Sequence, residues 1–114
     1  MLHIFLHLAV PGAVAFVLYR PREIQAGLIM LAMMAVDLDH LVADPIYDPQ
    51  RCSIGFHPLH SLPAIVIYAL VFVAAILFQK RLEVSGLGPA ARLMHWASLG
   101  LLIHMALDWG DCLL

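Results

Sequence analysis

The sequence predicts an all-α fold, a four-transmembrane-helix bundle that is integral to the membrane. Of the 114 residues, 63% are hydrophobic and 12% are charged, and the mean hydropathy is +0.92. Soluble domains are about half apolar and about a quarter charged. The apolar residues form four segments, each close to the ~20 residues that cross about 30 Å of hydrocarbon as a helix. We expect one compact domain over residues 1–114.

The predicted helices cover residues 2–19, 24–41, 62–78 and 93–113. The first segment has no basic region before its apolar stretch, so we expect a retained helix and not a cleaved signal peptide. The short turn 20–23 makes the first two helices an antiparallel hairpin. The outer loop 42–61 contains Pro45 and Pro49, and the link 79–92 contains glycines and a proline, which interrupt helices.

Basic residues are distributed unevenly between the two ends of the predicted bundle. Those in the first and third links are Arg20, Arg22, Lys80, Arg81 and Arg92. Only Arg51 lies at the other end, so the positive-inside rule places the two links in the cytoplasm and the termini and outer loop on the periplasmic or outer side. Trp96 and Trp109, near opposite ends of the last helix, suit interfacial aromatic belts. The net charge of −2 disfavours nucleic acid as a partner.

Imidazole and carboxylate groups concentrate at the predicted outer end. They come from four separate segments and are His3, His7, Asp37, Asp39, His40, Asp44, Asp48, His57, His60, His104, Asp108 and Asp111. Ionisable groups in membrane helices are costly and usually functional. Imidazole nitrogens and carboxylate oxygens are the standard protein ligands of zinc and similar ions. The cluster therefore predicts a metal site.

The spacing of these residues sharpens the prediction. His3–His7 and His104–Asp108 are i,i+4 pairs, and Asp37–His40 and His57–His60 are i,i+3 pairs. Such pairs share a helix face, and helical bundles build metal centres from pairs on facing helices. The predicted ligands are His7, Asp37, His40, His57, His60, His104 and Asp108.

Other members of the set are interpreted differently. Asp39 points roughly opposite to Asp37 on a straight α-helix and reaches the site only if the helix unwinds. Asp44 and Asp48 each precede a proline, which is ordinary turn chemistry. His95 is out of phase with the predicted ligands of the last helix, so we interpret it as structural or interfacial.

Several strings carry a resemblance to a known family. They are MLHIFLH at 1–7, VDLDH at 36–40, RCSIGFH at 51–57, HPLHS at 57–61 and HMALD at 104–108. Over nearly its whole length the chain resembles the small bacterial membrane proteins of the domain-of-unknown-function family 6122. The order of the motifs is similar to that of LexA-regulated inner-membrane metal-dependent hydrolases. It is more distantly similar to zinc-dependent phospholipase C and P1-type nucleases.

The resemblance implies a hydrolase of the bacterial inner membrane that uses one or two divalent ions. Histidine and aspartate ligands favour zinc as that ion. The implied ligand set is His7, Asp37 or Asp39 as a bridging carboxylate, His57 or His60, and His104 with Asp108. A metal-bound water with a pKa lowered to about 7 would attack the substrate. Asp39, if free of metal, is the expected catalytic general base. Ser61 is expected to cap the third helix or orient a ligand.

The predicted ligands lie within roughly 10–15 Å of the outer ends of their helices, at about 1.5 Å per residue. This depth favours membrane lipids of the outer leaflet as substrates, through a phosphate or ester group. Two other functions stay open. A non-catalytic accessory subunit with a structural metal site would pack through its small residues into a larger membrane complex or homo-oligomer. A b-type haem protein is disfavoured by the many aspartates.

Cys52 and Cys112 both fall on the predicted outer side. An oxidising compartment permits a disulfide between them. Such a bond would fix the outer loop to the last helix beside Asp108 and Asp111. Free thiols and a soft metal ligand are the alternatives.

Overall fold

The computed structural model describes residues 1–113, in which helices and loops but no strands occur. In chain order the elements are α1 (Leu2–Leu18), α2 (Glu23–Ala32), a 3₁₀ segment (Met33–Val42), a 3₁₀ turn (Pro58–His60), α3 (Leu62–Leu77), α4 (Gln79–Val84) and α5 (Gly88–Leu113). The all-α class is therefore confirmed for the described part of the chain. The outer loop lies between the 3₁₀ segment and α3.

The helix bounds differ from the sequence prediction mainly in two places. α5 begins at Gly88, five residues earlier than predicted, with Pro89 in its first turn, where the missing N–H breaks no helical hydrogen bond. The predicted link before it contains the short helix α4. The second predicted helix changes type, because its α-helical part ends at Ala32 and residues 33–42 continue as a 3₁₀ helix.

The 3₁₀ segment is ten residues long, whereas such helices rarely exceed three or four residues and often mark functional sites. A 3₁₀ helix turns about 120° per residue, so Asp37 and His40 lie directly above one another. The same geometry separates Asp37 from Asp39 by about 120°, compared with about 160° in an α-helix. The helix is thus wound more tightly where the sequence prediction required unwinding, and Asp39 is buried.

α5 is the central helix and contacts α1, α2, α3, α4 and the 3₁₀ segment. The apolar core is small and consists of Ala15, Ala26, Met30 and Trp96. Trp96 was predicted at the membrane interface, but the structure places it in this core. A Cβ atom on Gly100 of α5 would lie 2.8 Å from Cα of Met30, which shows that α2 and α5 pack with their backbones in close approach.

The described residues bury several polar side chains and expose many large apolar ones, which is unusual for a water-soluble helical domain. The buried polar residues are His7, Asp39, His57, His60, Ser98, His104 and Asp108. Large apolar side chains are exposed along α1 and α3, including Phe5 and Leu70. By length and composition one helical stretch, Glu23–Val42, can cross a membrane, and α1 and α3 are apolar but shorter, at 17 and 16 residues. The four-crossing bundle stays a prediction.

Candidate metal centre

Three elements bring imidazole and carboxylate groups together at one end of the bundle. The 3₁₀ segment supplies Asp37, the 3₁₀ turn supplies His60, and α5 supplies His104 and Asp108. One ligand atom from each of these residues lies within 4.8 Å of all the others. His60, His104 and Asp108 are buried, whereas the side chain of Asp37 is 41% exposed. We refer to these residues as the four-ligand group.

The distances within the four-ligand group suit a tetrahedral ion. Nε2 of His60 lies 3.1 Å from Oδ2 of Asp108 and 3.3 Å from Oδ1 of Asp37. Nε2 of His104 lies 3.3 Å from Oδ2 of Asp108 and 3.1 Å from Oδ1 of Asp37. Two ligands of a tetrahedral zinc ion, each about 2.0 Å from the metal, are about 3.3 Å apart. The group can therefore hold such an ion with little movement.

A second set of ligand atoms comes from α1 and the same aspartate. Nε2 of His7 lies 3.1 Å from Oδ1 of Asp108, and Nε2 of His3 lies 3.5 Å from the same oxygen. We refer to His3, His7 and Asp108 as the three-ligand group, whose ligand atoms also lie within 4.8 Å of one another. Asp108 thus faces one group with each oxygen. The resemblance implied Asp37 or Asp39 as the bridging carboxylate, and in the structure the carboxylate that borders both groups is Asp108.

Several of the facing atoms lack hydrogen bonds. Among residues 1–113, three buried atoms of the two ligand groups have no hydrogen-bond partner: Nε2 of His7, Nε2 of His60 and Oδ2 of Asp108. Leaving a buried polar atom unsatisfied costs about 1–3 kcal/mol. All three atoms are directed into the two ligand groups, where a cation would satisfy them. This is the strongest structural argument that the site binds metal.

The far sides of two ligand rings are held in place. Nδ1 of His7 donates to the carbonyl oxygen of His3 at 2.9 Å, which leaves Nε2 free to bind a cation. Nδ1 of His60 donates to Oδ2 of Asp39 at 3.1 Å, and the same oxygen accepts from the backbone N–H of Leu59 at 2.8 Å. Metal-binding histidines usually have such a partner, which fixes the tautomer and the ring orientation.

Asp39 therefore has a different position from the one predicted. As a catalytic general base it would need a free oxygen in the cleft, but its carboxylate accepts hydrogen bonds from Leu59, His60 and His40. The geometry makes it a residue that orients two imidazoles. The tighter winding of the 3₁₀ segment turns the side chain of Asp39 towards these imidazoles.

Three carboxylates surround His60. Burial by itself lowers the pKa of this imidazole, but the nearby carboxylates of Asp108, Asp37 and Asp39 outweigh it and raise the pKa to about 10. A proton on His60 thus supplies positive charge that the carboxylates require. A bound metal ion would supply the same charge in its place.

His40 and His57 were predicted as ligands, but they lie beside the two groups and not in them. With Asp39 they form a third set of ligand atoms within 4.8 Å. Nδ1 of His40 lies 3.0 Å from Oδ1 of Asp39, and its Nε2 lies 3.1 Å from Oγ of Ser53. The rings of His40 and His57 stack at 3.7 Å between centroids. Burial, and then the neighbouring His40, lowers the pKa of His57. Because both nitrogens of His40 already have partners, this set has less need of a metal.

A cavity of about 520 Å³ opens beside the ligand groups. The outer loop and the ends of α1 and α5 form its walls. The polar and charged residues that line it are His3, His40, Asp48, Gln50, Arg51, Ser53, His57, Asp108 and Asp111. The three-ligand group therefore borders open space through His3 and Asp108, whereas His60 and His104 do not line the cavity.

The remaining sequence predictions concern residues around the site. Cys52 and Cys112 are joined by a disulfide with a Cα–Cα distance of 5.3 Å. Ser61 caps α3, as predicted, by accepting a hydrogen bond from the backbone N–H of Ala64. Nε2 of His95 is hydrogen-bonded to the hydroxyl of Tyr19 at 2.7 Å, outside all three ligand groups.

His3 is the ligand that the sequence prediction left out. Its signal was visible, because it is one turn from His7 on the same helix face.

The comparisons with known proteins identify a family but no function. Searches of curated proteins and of solved structures each find no match to the chain. The similarity to metal-dependent hydrolases and phospholipase C accordingly stays a prediction. The family model described as "Family of unknown function (DUF6122)" matches residues 1–114, and this protein belongs to that family.

Proposed function

We propose that this protein is a membrane-embedded, metal-dependent hydrolase that cleaves an ester or phosphoester of a lipid at the outer leaflet. The observation that carries the proposal is the three-ligand group at the edge of the cavity. Catalytic zinc sites have three protein ligands and an open position for water or substrate, whereas structural sites are closed by four. His3, His7 and Asp108 match the first description and border open space.

The two ligand groups support a dinuclear zinc-type centre bridged by Asp108. Imidazole and carboxylate ligands suit zinc, and no described cysteine thiol competes because both cysteines are in the disulfide. In such centres the ions activate a water and polarise the substrate oxygen. The four-ligand group would hold the more tightly bound ion, and the three-ligand group the ion that meets substrate.

Two observations support insertion in the membrane. The helices expose large apolar side chains and bury polar ones, which is favourable in lipid and unfavourable in water. The stretch Glu23–Val42 spans about 35 Å, because α2 rises about 1.5 Å and the 3₁₀ segment about 2.0 Å per residue. The proposed topology has several crossings of the bacterial inner membrane. The metal centre lies on the periplasmic side, opposite the basic links.

The position of the cavity supports a lipid substrate. It lies at the end of a molecule 48 Å long, and Ile4, Ile46 and Tyr47 add apolar surface to its polar walls. A bilayer is about 40–45 Å thick including its headgroups. The cavity would therefore lie near the headgroups, where the ester and phosphate bonds of lipids are found.

Metal content tests the centre directly. Purified wild-type protein is expected to contain bound zinc or a similar divalent ion by elemental analysis. Asp37→Ala and His104→Ala should lose metal yet remain in the membrane fraction. Asp44→Ala is the matched control, because this exposed aspartate of the outer loop belongs to no ligand group. Wild-type protein that stays metal-free after incubation with zinc would contradict the proposal.

Turnover tests the catalytic part. Metal-loaded protein in detergent is incubated with labelled phospholipids of several headgroup classes, with and without a chelator. The hydrolase is supported if the chelator abolishes hydrolysis, if His3→Ala abolishes it, and if His95→Ala retains it. Metal-loaded protein that hydrolyses none of the lipid classes would exclude it.

A non-catalytic accessory subunit is the second candidate. The four-ligand group favours it, because four protein ligands close the coordination sphere as in structural zinc sites. The two functions differ in stoichiometry and in open coordination. One ion per chain with no exchangeable water would favour the accessory subunit, and a second ion with exchangeable water would favour the hydrolase.

A further inference from the structure

Asp39, His40 and Ser53 are connected in series beside the metal groups. Nδ1 of His40 faces two acceptors, Oδ1 of Asp39 at 3.0 Å and the carbonyl oxygen of Asp37 at 3.1 Å. That nitrogen therefore carries the proton, and Nε2 is free to accept one. Oγ of Ser53 lies 3.1 Å from Nε2 and donates to it. Carboxylate, imidazole and hydroxyl in this order are the arrangement that activates serine nucleophiles.

The backbone at Ser53 is held in a tight turn. The carbonyl oxygen of Ser53 accepts from the N–H groups of Phe56 at 3.2 Å and His57 at 3.3 Å, which closes a tight turn. Gly55 makes the turn with a φ of 83°, which glycine adopts without steric cost, and its N–H donates to the carbonyl of His60 at 2.9 Å. On the other side, Cys52 is bonded to Cys112 of α5. A nucleophile gains from being fixed in this way before substrate binds.

The imidazole of His40 is also restrained. Its ring stacks on that of His57, with an angle of 28° between the planes, and the side chain of His57 is buried. Together with the hydrogen bonds at both nitrogens, the stack leaves His40 directed towards Ser53.

The cavity connects the series of Asp39, His40 and Ser53 to the metal centre. Ser53, His40 and His57 line the same space as His3 and Asp108 of the three-ligand group. Its charged lining residues are Arg51, Asp48, Asp108 and Asp111, which carry a net formal charge of −2. A divalent ion on the three-ligand group would offset this charge, so the wall does not select between phosphate and ester groups. The substrate class follows from Ser53 itself, because a serine activated by imidazole and carboxylate accepts acyl groups from carboxylic esters.

We propose that Ser53 is a nucleophile that accepts the acyl group of a carboxylic ester, with His40 as its proton acceptor. This inference rests on the proposed hydrolase function and names the ester class of its substrate. Oγ forms a bond to the acyl carbon while its proton passes to Nε2 of His40, and the alcohol leaves with that proton. Water then attacks the acyl-serine, gives a proton to His40, and releases the carboxylic acid as Oγ regains its proton.

Asp39 is a positioning residue in this scheme, because it touches His40 and not the reacting atoms. It stabilises the tautomer in which Nδ1 carries the proton. Asp39→Asn is expected to slow acylation and to change its pH profile, whereas a loss of packing alone would slow acylation equally at every pH.

Labelling with a fluorophosphonate tests the nucleophile without requiring the natural substrate. An activated serine displaces fluoride from this reagent and retains the phosphonyl group, which peptide mass spectrometry locates. We expect wild-type, metal-loaded protein to form one adduct, on Ser53. Ser53→Ala should form none, and Ser61→Ala, a matched serine in the cap of α3, should react as the wild type does. His40→Gln should react at least ~100-fold more slowly, the lower end of general-base catalysis.

Three results would overturn the inference. They are wild-type protein without an adduct on Ser53, equal labelling of Ser53 and Ser61, and His40→Gln that retains metal but is labelled at the wild-type rate. The test is separate from that of the metal hydrolase. Chelator-sensitive lipid hydrolysis that persists at the wild-type rate in Ser53→Ala would exclude the serine route and leave the metal hydrolase intact.

Discussion

Asp108 connects the two ligand groups through its two oxygens. Oδ1 faces His3 and His7 of α1, and Oδ2 faces His60 and His104. A bidentate carboxylate between two cations balances part of the charge of both, so its loss should weaken both positions. The histidines, in contrast, each face one group.

This asymmetry predicts the metal stoichiometry of variants. We expect wild-type protein to bind two ions per chain, His3→Ala to retain one, and Asp108→Ala to retain none. Elemental analysis of protein of known concentration, after dialysis against low zinc, measures the ratios. His95→Ala is the control, since this histidine bonds to Tyr19, belongs to no ligand group and should leave two ions bound. Equal loss in His3→Ala and Asp108→Ala would contradict the shared-carboxylate arrangement.

The protonation of His60 predicts a pH dependence of metal binding. Its pKa, raised to about 10 by the surrounding carboxylates in the absence of metal, means that an ion must displace a proton at neutral pH. Binding should therefore weaken up to about tenfold for each pH unit below 10, per displaced proton. Calorimetric titration with zinc at pH 7 in two buffers of different protonation enthalpy counts the protons released. Zero protons released at pH 7 would show that His60 is neutral or is not a ligand.

The sequence predicted most of the ligand residues but not their division into groups. Spacing of three or four residues marks His104 with Asp108 and His57 with His60 as pairs, because helix geometry is local. Which oxygen of Asp108 faces which histidine depends on how α1 packs against α5, and no local pattern encodes that. His57 lies outside the four-ligand group for a local reason: it is the extended N-cap residue of the 3₁₀ turn and does not share a helix face with His60, as the i,i+3 spacing had predicted.

At the scale of elements, the 3₁₀ segment and the contact between α2 and α5 position the site. Periods of 3.0 and 3.6 differ by only about 20° per residue, so the apolar spacing within a single turn does not distinguish them, and the sequence predicted a continuous α-helix through residue 41. The tighter winding sets the directions of Asp37, Asp39 and His40. The close approach of Gly100 to Met30 then fixes α5 against α2.

This approach predicts that Gly100→Ala is destabilising. The added Cβ would lie 2.8 Å from Cα and 3.1 Å from O of Met30, and backbone atoms cannot move aside without separating the helices. Overpacking of this kind costs about 1–3 kcal/mol. Thermal unfolding in detergent should show a lower midpoint. Gly12→Ala is the matched control, since a Cβ there meets nothing within 4 Å and alanine gains up to about 1 kcal/mol in helix propensity. Equal midpoints for the two variants would contradict the packing argument.

At the scale of the whole molecule, one end is acidic, histidine-rich and closed by a disulfide, and the other is basic. The charge asymmetry was visible in the sequence because it needs only the order of the segments. The disulfide was left open there, because the distance between Cys52 and Cys112 depends on the fold of the outer loop. The structure brings their Cα atoms to 5.3 Å, within the range of disulfide geometry. Disulfides usually form and persist in oxidising compartments, so this bond favours an outer location for this end.

The disulfide and the basic links therefore predict the same topology, one from the redox state of the compartment and the other from the charge bias of the links. In intact cells Cys52 and Cys112 should resist alkylation until a reductant is added, and then take up two groups per chain. In a background without these cysteines, we expect Asp44→Cys in the outer loop to react with a membrane-impermeant maleimide. Ser85→Cys, equally exposed but in the link at the other end, should react only after the cells are lysed. Reaction of both sites in intact cells, or free thiols at Cys52 and Cys112 before reduction, would contradict the orientation.

Either result would move the proposed metal centre away from the outer leaflet, because the metal centre, the outer loop and the disulfide occupy the same end of the molecule.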